Sequence, residues 1–229
     1  MTRRAMTTRA RSRRQDLLTQ PLLPRAALEH IAADVMLLPG AASAAAGALL
    51  AALGPVIAAA PWRHMTTPGG ARMSVAMTNC GQVGWVSDRR GYRYDPIDPD
   101  SGLPWPRMPE ALRSVATQAA AAAGFDGFEP DACLVNRYAP GTRLSLHQDR
   151  NERDLAAPVV SVSLGLPATF LFGGLRRADP SQRIALQSGD IVVWGGSQRL
   201  AFHGVMPLPD GEHALTGPYR INLTFRKAL

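Results

Sequence analysis

The stretch DACLVNRYAPGTRLSLHQD, residues 131–149, combines a strand pattern, a Pro-Gly turn and a metal-ligand motif. Its first half reads as an extended strand, and the turn at Pro140 and Gly141 leads directly into the second half. Side chains two residues apart in a strand point to the same side, so His147 and Asp149 can reach one metal ion. The stretch therefore predicts β-structure that carries two metal ligands on one segment.

His203, far downstream, is the third candidate ligand. Two imidazoles and one carboxylate on one face of an ion leave the opposite positions open, which is the arrangement that non-haem Fe(II) oxygenases use. A chain with five histidines also contains His-x-Asp by chance, and a surface histidine beside a solvated aspartate is the ordinary explanation. The motif alone leaves both interpretations open.

The C-terminal segment YRINLTFR, residues 219–226, alternates polar and apolar side chains. Arginine forks and neutral donors on its polar face suit a small dicarboxylate, and Asn136 and Tyr138 share a face of the preceding strand pattern. An edge strand with a solvated polar face would look similar. The polar face of the tail consists of Arg220, Asn222, Thr224 and Arg226.

The rest of the chain predicts an α+β fold that is mainly β. Two helices are predicted, over residues 41–60 and 109–123, the second closed by Gly124. Short strands separated by Gly and Pro turns follow, which favours a jelly roll, or double-stranded β-helix, with the metal near the open end of two sheets. The predicted strands lie at 73–79, 84–94, 131–139, 158–164, 168–172, 183–186, 190–194 and 219–226.

Several motifs in the same order resemble the AlkB family of Fe(II)/2-oxoglutarate-dependent dioxygenases. They are NRYAPG, LSLHQD, SVSLGLP, VVWGG and NLTFR, and the similarity runs from about Met65 to Arg226. The resemblance implies a double-stranded β-helix with N-terminal helices and a nucleotide-recognition lid. It also implies oxidative dealkylation of bases such as 1-methyladenine and 3-methylcytosine in DNA, with RNA left open. Fe(II), 2-oxoglutarate and O₂ would be required, and formaldehyde, succinate and CO₂ released.

The same resemblance assigns roles to individual residues. Iron would be held by His147, Asp149 and His203. Arg226 would lie near the C1 carboxylate of 2-oxoglutarate and Arg220 would pair with the distal carboxylate. Further hydrogen bonds to the cosubstrate would come from Asn136, Tyr138 and Asn222.

The substrate side is predicted from the segment GWVSDRRGYRY, residues 84–94, where aromatic and basic residues alternate as stacking and charge partners for a nucleic acid. A hairpin whose aromatics fill the core is the plain alternative. By resemblance, Trp85 would stack on the damaged base against His147. The remaining substrate residues implied by the family are Tyr92, Tyr94, Met77, Ser161 and Arg177.

Asn151 departs from the family pattern. Bacterial relatives carry an acid two residues beyond the iron aspartate, to contact the exocyclic amine of the base, whereas this chain has an amide in HQDRNE. The amide brings no charge. We therefore predict the same reaction with an altered preference among lesions.

Charge and composition bound the partners. The net charge is +7, and six arginines in the first fourteen residues account for all but one of these charges. Residues 1–20 are predicted to be a flexible basic arm that contacts phosphates without base recognition. A misassigned start, with Met6 as one alternative, or an Arg-rich targeting peptide would also explain it. Residues 21–130 would form a helical extension with the lid, and 131–229 the catalytic core, as one integrated domain.

Two further features concern compartment and class. Cys80 and Cys133 are predicted to be reduced core residues, and the uncharged run over residues 41–61 an alanine-rich helix packed on the domain rather than a membrane span. A cytoplasmic monomer without an obligate protein partner is expected. Two alternatives to a nucleic-acid dealkylase remain: an Fe(II)/2-oxoglutarate hydroxylase acting on a protein or small molecule, and a noncatalytic nucleic-acid-binding jelly roll.

Overall fold

A computed structural model describes residues 28–229 of the chain. The two helices are α1 (Ala46–Ala59) and α2 (Glu110–Ala122), and Gly196–Gln198 form a short 3₁₀ turn. The thirteen strands of the described part are β1 (Glu29–Ala32), β2 (Val35–Leu38), β3 (Ala76–Gly81), β4 (Gly84–Asp88), β5 (Gly91–Asp95), β6 (Ala132–Tyr138), β7 (Leu144–His147), β8 (Val159–Gly165), β9 (Ala168–Phe172), β10 (Gln182–Leu186), β11 (Ile191–Trp194), β12 (His203–Val205) and β13 (Arg220–Arg226).

The strands form two antiparallel sheets and one separate hairpin. The major sheet has the order β1-β2-β11-β8-β13-β6-β3, the minor sheet the order β10-β9-β12-β7, and β4 pairs with β5. Apart from β1–β2 and β9–β10, neighbouring strands are not consecutive in sequence, and the chain passes between the two sheets as in a double-stranded β-helix. The predicted fold class, mainly β with N-terminal helices and a jelly roll, is confirmed.

The major sheet has a different core on each of its faces. On one face the helices pack against the apolar side of β13, with Leu49 and Leu112 close to Leu223 in one buried cluster. On the other face Phe170 and Trp194 belong to the core between the two sheets. The alternation predicted for β13 explains this division, since Ile221, Leu223 and Phe225 point to the helices while the polar side chains point between the sheets.

The helices agree with the sequence except at one boundary. Helix α2 begins directly after Pro109, and Gly124, with φ +88, follows its end as predicted. Helix α1 begins at Ala46 rather than near residue 41, because residues 39–45 form turns. Leu49, Leu53 and Val56 are buried, so α1 packs on the domain as expected. Within residues 28–229 no helix is long and apolar enough to span a membrane.

Strands β1 and β2 were not predicted. Each is only four residues long, and VMLL in β2 has no alternation because all four of its side chains are buried. They extend the sheet that contains β13, through pairing of β2 with β11. The predicted arm, residues 1–20, lies outside the described residues, as does the start of the predicted 21–130 segment.

The two cysteines are free and buried, as the sequence predicts. They face each other directly in the pairing of β3 with β6, where Cys80 is the register partner of Cys133. Burial raises the pKa of the Cys133 thiol well above its ordinary value. Both side chains therefore act as small apolar residues of the helix-side core.

Candidate metal and cosubstrate site

Two neighbouring strands of the minor sheet bring the predicted histidines together. His203 on β12 is the direct register partner of His147 on β7, so both side chains leave the sheet on the same face. Asp149 follows β7 by two residues and returns to the same point. One ligand atom from each of the three residues lies within 4.8 Å of the others, which makes them a candidate metal site.

Hydrogen bonds fix the orientation of both imidazoles. Nδ1 of His147 is 2.8 Å from the carbonyl oxygen of Ser145, and Nδ1 of His203 is 3.0 Å from that of Ala201. Since a carbonyl only accepts, each Nδ1 carries the proton and each Nε2 has a free lone pair. Both Nε2 atoms lie 3.8 Å from an oxygen of Asp149, so the lone pairs converge beside the carboxylate.

The protonation states of the triad also suit a divalent cation. Burial lowers the pKa of His203 to about 3, so this imidazole is neutral at physiological pH. Burial alone would favour the protonated form of Asp149, but the charge of Arg226 and the two imidazoles together hold its pKa below the ordinary value. Two imidazoles and one carboxylate on one side of an ion are the donor set that Fe(II) oxygenases use.

The polar face of β13 continues from this triad along the inside of the major sheet. Arg220 is the register partner of Tyr138, and Asn222 is the partner of Asn136, so all four side chains lie on one face. The Asn136 amide donates to Asn222 Oδ1 at 3.3 Å, and the Asn222 amide donates to Ser161 Oγ at 2.8 Å. The predicted grouping of these side chains is thus present in the structure, as an ordered row of donors and acceptors.

Arg220 is a buried cation without an anionic partner. It is 1% exposed, its guanidinium lies 5.0 Å from the ring centre of Tyr138, and its Nη2 donates to Ser163 Oγ at 2.9 Å. Nε and Nη1 have no hydrogen-bond partner, and among residues 28–229 no carboxylate lies within ion-pair distance. A buried arginine with two idle donors in a cavity fits the carboxylate of a ligand.

Arg226 lies at the other end of the polar face of β13 from Arg220, and its guanidinium is paired with carboxylates. Its Nε donates to Asp149 Oδ2 at 2.8 Å, and its Nη2 lies 2.7 Å from the same oxygen. Arg226 Nε also lies 3.4 Å from Oε1 of Glu152. The arginine that was predicted to lie near the C1 carboxylate of 2-oxoglutarate therefore contacts the metal-binding carboxylate itself.

One cavity of about 810 Å³ contains the triad and the polar row. Its outer wall is the β4–β5 hairpin, where the rings of Trp85 and Tyr92 stack with a centroid distance of 5.6 Å and an angle of 13°. We call this hairpin, Gly84–Asp95, the lid. Besides the three ligands, the predicted residues that line the cavity are Asn136, Tyr138, Arg220, Asn222, Arg226, Met77, Trp85, Tyr92, Asn151, Ser161 and Arg177.

Tyr94 is the predicted substrate residue that does not line the cavity. Its hydroxyl donates to Oε1 of Glu152 at 2.6 Å, and burial raises the pKa of Tyr94 well above its ordinary value. Glu152 and its ion-pair partner Arg199 are both buried, and neither was predicted as a site residue. One sequence signal pointed to Glu152, because it directly follows Asn151 in HQDRNE, and none pointed to Arg199.

The mouth of the cavity is rich in arginine. Four exposed arginines line it, and among the described residues none of them forms an ion pair. One of them, Arg177, is held in place, because its Nη1 donates to the Leu146 carbonyl at 2.6 Å and its guanidinium lies 4.9 Å from the ring centre of Phe202. The four arginines are Arg72, Arg143, Arg150 and Arg177.

Known proteins are similar to this chain in sequence and in fold. A protein-family model described as the 2OG-Fe(II) oxygenase superfamily matches residues 34–226. The alpha-ketoglutarate-dependent dioxygenase AlkB of Salmonella typhimurium is 58% identical over 200 residues, which are 87% of this chain and 93% of that protein. Nucleic acid dioxygenase ALKBH1 of Mus musculus is 40% identical over 117 residues, 48% of this chain and 30% of that protein. The solved structure of OsALKBH1 matches with a TM-score of 0.73 at 27% identity, over 87% of this chain and 99% of that one.

The double-stranded β-helix and the His-Asp-His site define a non-haem iron oxygenase. The chain belongs to the 2OG-Fe(II) oxygenase superfamily and, within it, to the AlkB family. It is therefore a 2-oxoglutarate-dependent dioxygenase that uses Fe(II) and O₂. The noncatalytic alternative is excluded by this membership, whereas the substrate that is oxidised is a separate question.

Proposed function

We propose that this enzyme removes N-linked alkyl groups from bases of nucleic acid, with 1-methyladenine and 3-methylcytosine in DNA as typical lesions and RNA left open. The observation that carries the proposal is that the iron ligands share their cavity with a stacked aromatic pair and with four arginines that form no ion pair within residues 28–229. Aromatic faces accept a base, and arginines beside them attract the phosphates of its strand. A polyanionic strand that carries a flat base uses both features together.

The side chains of the cavity divide into two groups under this proposal. Arg220, Asn222, Asn136 and Tyr138 would orient 2-oxoglutarate, with the unpaired donors of Arg220 meeting its distal carboxylate. Bound Fe(II) supplies, with 2-oxoglutarate and O₂, the oxidising chemistry that hydroxylates the N-alkyl carbon. Loss of formaldehyde then restores the base, and succinate and CO₂ are the other products.

The lid residues would place the lesion over the metal. Trp85 is half-buried and Tyr92 is 46% exposed, so the pair presents a ring face at the entrance while the indole side is held by the protein. Asn79 fixes the backbone of Trp85. Its amide donates to the Trp85 carbonyl and its Oδ1 accepts from the Trp85 backbone N–H, both at 3.0 Å. A base on this wall must leave the helical stack, which a methylated base that cannot pair does at lower cost.

A substrate panel tests the proposal. We expect formaldehyde release from oligonucleotides that contain 1-methyladenine or 3-methylcytosine, and a rate that falls as ionic strength rises, because the four arginines at the mouth contribute through screened charges. The panel should compare single strands, duplexes, RNA and the free methylated nucleosides. Equal rates on nucleosides and oligonucleotides, or activity only on peptides or free amino acids, would contradict the proposal.

Asn151 supports a more specific expectation about lesion preference. Trp85 Nε1 donates to Asn151 Oδ1 at 3.2 Å, and since the indole N–H only donates, the amide must face it with oxygen. The group left for a bound base is therefore the NH₂ donor, which suits an exocyclic oxygen better than an exocyclic amine.

Replacement of this amide by a carboxylate should shift the preference toward bases with an exocyclic amine. We expect Asn151→Asp to raise the rate on 1-methyladenine relative to 1-methylguanine by roughly 5-fold or more, since one well-placed hydrogen bond contributes about 1 kcal/mol or more to discrimination. The measurement is the ratio of initial rates on matched oligonucleotides that differ only in the lesion. An unchanged ratio would contradict this use of Asn151.

The composition of the cavity bears on the form of the enzyme in the cell. We expect a cytoplasmic monomer that needs no obligate protein partner, since a cavity within one chain contains the triad, the polar row and the lid wall. Size-exclusion chromatography with light scattering measures the oligomeric state. Activity that appears only in a dimer fraction would contradict this expectation.

A further inference from the structure

We propose that Glu152 is a positioning residue that links the lid to the iron-binding carboxylate of Asp149. The proposal concerns metal binding and is independent of which substrate is oxidised. The lid makes two hydrogen bonds to consecutive residues that follow Asp149. Trp85 donates to Asn151, and Tyr94 donates to Glu152, so the lid is attached to the chain within three residues of Asp149.

Glu152 is a buried carboxylate at the centre of a charged cluster. Its side chain is 2% exposed, and three groups surround it. The Tyr94 hydroxyl donates to Oε1 at 2.6 Å, and Arg226 Nε lies 3.4 Å from the same oxygen. Arg199 Nη2 lies 3.2 Å from Oε2, as an ion pair without hydrogen-bond geometry. A carboxylate buried this deeply is stable only with such partners, so its position depends on all three.

Both arginines that contact Glu152 also contact Asp149. Arg226 binds the Asp149 carboxylate through Nε at 2.8 Å and Nη2 at 2.7 Å. Arg199 binds the Asp149 backbone instead, because its Nη1 donates to the carbonyl oxygen at 2.8 Å. Glu152 is therefore joined to the metal ligand by two separate routes, one to its side chain and one to its main chain.

Through these contacts, Glu152 affects the affinity of Asp149 for a metal ion. Arg226 and a divalent cation compete for Asp149 Oδ2, since both are attracted to the same oxygen. The negative charge of Glu152 gives Arg226 a second acceptor, which weakens its hold on Asp149. Without that charge Arg226 would pair with Asp149 alone, and the carboxylate would be a poorer ligand.

Through Tyr94, the position of the lid also affects how strongly Arg226 pairs with Asp149. Its hydroxyl donates to Oε1, the same oxygen that faces Arg226 Nε, so the lid hydrogen bond changes how strongly Glu152 attracts Arg226. Movement of the lid that stretches the Tyr94 contact would change metal affinity through Glu152 and Arg226. Linkage is reciprocal, so metal binding would in turn favour one position of the lid.

A double-mutant cycle read on metal affinity tests the proposal. Mn(II) binding to the full-length protein would be measured by calorimetry without oxygen or nucleic acid, and the visible absorption of bound Co(II) would report ligand geometry. Removal of an outer-sphere partner typically weakens a metal site about 10- to 100-fold, so we expect Glu152→Gln to raise the Mn(II) Kd at least about 10-fold. Tyr94→Phe should change it about 3-fold or more, and this change should vanish in the Glu152→Gln background.

Matched controls separate positioning from general loss of structure. Tyr219→Phe removes a hydroxyl outside the cavity, and Glu29→Gln removes a charge from an exposed residue, so neither should change the Mn(II) Kd. If Glu152→Gln does not fold, Tyr94→Phe keeps the ring in place and decides alone. A Tyr94→Phe effect of the same size in both backgrounds, or an unchanged Mn(II) Kd and Co(II) spectrum in either single variant, would overturn the proposal.

Discussion

Replacement of His147 by alanine is expected to abolish succinate formation. His147 is one of three protein ligands, and its loss should reduce activity by more than the roughly 10- to 100-fold that removal of an outer-sphere partner costs. The variant should still fold, because His147 ends a strand on the open side of the minor sheet and its side chain is 33% exposed. The measurement is Fe(II)-dependent succinate formation together with thermal unfolding of the apoprotein.

His30→Ala is the matched control for this variant. His30 is exposed on β1, at the far edge of the major sheet from β13, so its removal should leave turnover unchanged. Succinate formation at the wild-type rate in His147→Ala would contradict the metal assignment. Equal rates of succinate formation in His147→Ala and His30→Ala would also contradict the metal assignment, because the two histidines would then be equivalent.

Replacement of Arg220 by methionine is expected to have opposite effects on cosubstrate binding and on stability. Truncating one partner of a buried charge pair costs about 2–5 kcal/mol, so 2-oxoglutarate affinity should fall roughly 30-fold or more. The apoprotein should become more stable, because the substitution removes a buried cation whose Nε and Nη1 lack partners. Burial already lowers the pKa of Arg220, which reflects the same unfavourable desolvation.

Two measurements on one variant check this prediction. The dissociation constant for 2-oxoglutarate is measured with Mn(II) bound, and the free energy of unfolding is measured by urea denaturation of the apoprotein. Arg107→Met, at an exposed arginine that does not line the cavity, is the control for loss of one positive charge. An unchanged 2-oxoglutarate affinity in Arg220→Met would show that the carboxylates of 2-oxoglutarate bind elsewhere.

The parts of the site that alternate along a strand could be predicted from the sequence. The two-residue period of YRINLTFR assigns Arg220 and Arg226 to one face and Leu223 to the other, and the structure has both faces as expected. Asp149 also lies beside His147 as predicted, although the strand ends at His147 and Asp149 belongs to the loop that follows. His203 could be named from the sequence only as a candidate third ligand, because the pairing of β7 with β12 that brings it beside His147 leaves no local pattern.

The parts that depend on tertiary contacts could not be predicted. Arg199 lies in a loop without periodicity, and its place beside Asp149 results from the packing of two distant segments. Tyr94 was expected in the cavity because the resemblance to the AlkB family implied it as a substrate residue, and the structure places it outside the cavity. The position of the 151–152 loop directs Tyr94 to Glu152 instead, which no feature of the lid sequence indicates.

The boundaries of the fold show the same division. Strand β9 was predicted at its observed limits because it is β-branched and aromatic between Gly and Pro turns. Strands β1 and β2 were missed because four-residue apolar strands have too few positions to show a period. Their place at the edge of the major sheet is determined by pairing with β11, which is a contact over a long sequence separation.

The most direct test of the central claim is the stoichiometry of products on one defined oligonucleotide. A single strand with one 1-methyladenine is incubated with Fe(II), 2-oxoglutarate and O₂, and succinate, formaldehyde and the oligonucleotide mass are measured in the same sample. We predict one formaldehyde for each oligonucleotide that loses its methyl group, with succinate formed in step. Succinate without formaldehyde, from an oligonucleotide of unchanged mass, would contradict the claim that this dioxygenase is a nucleic-acid dealkylase.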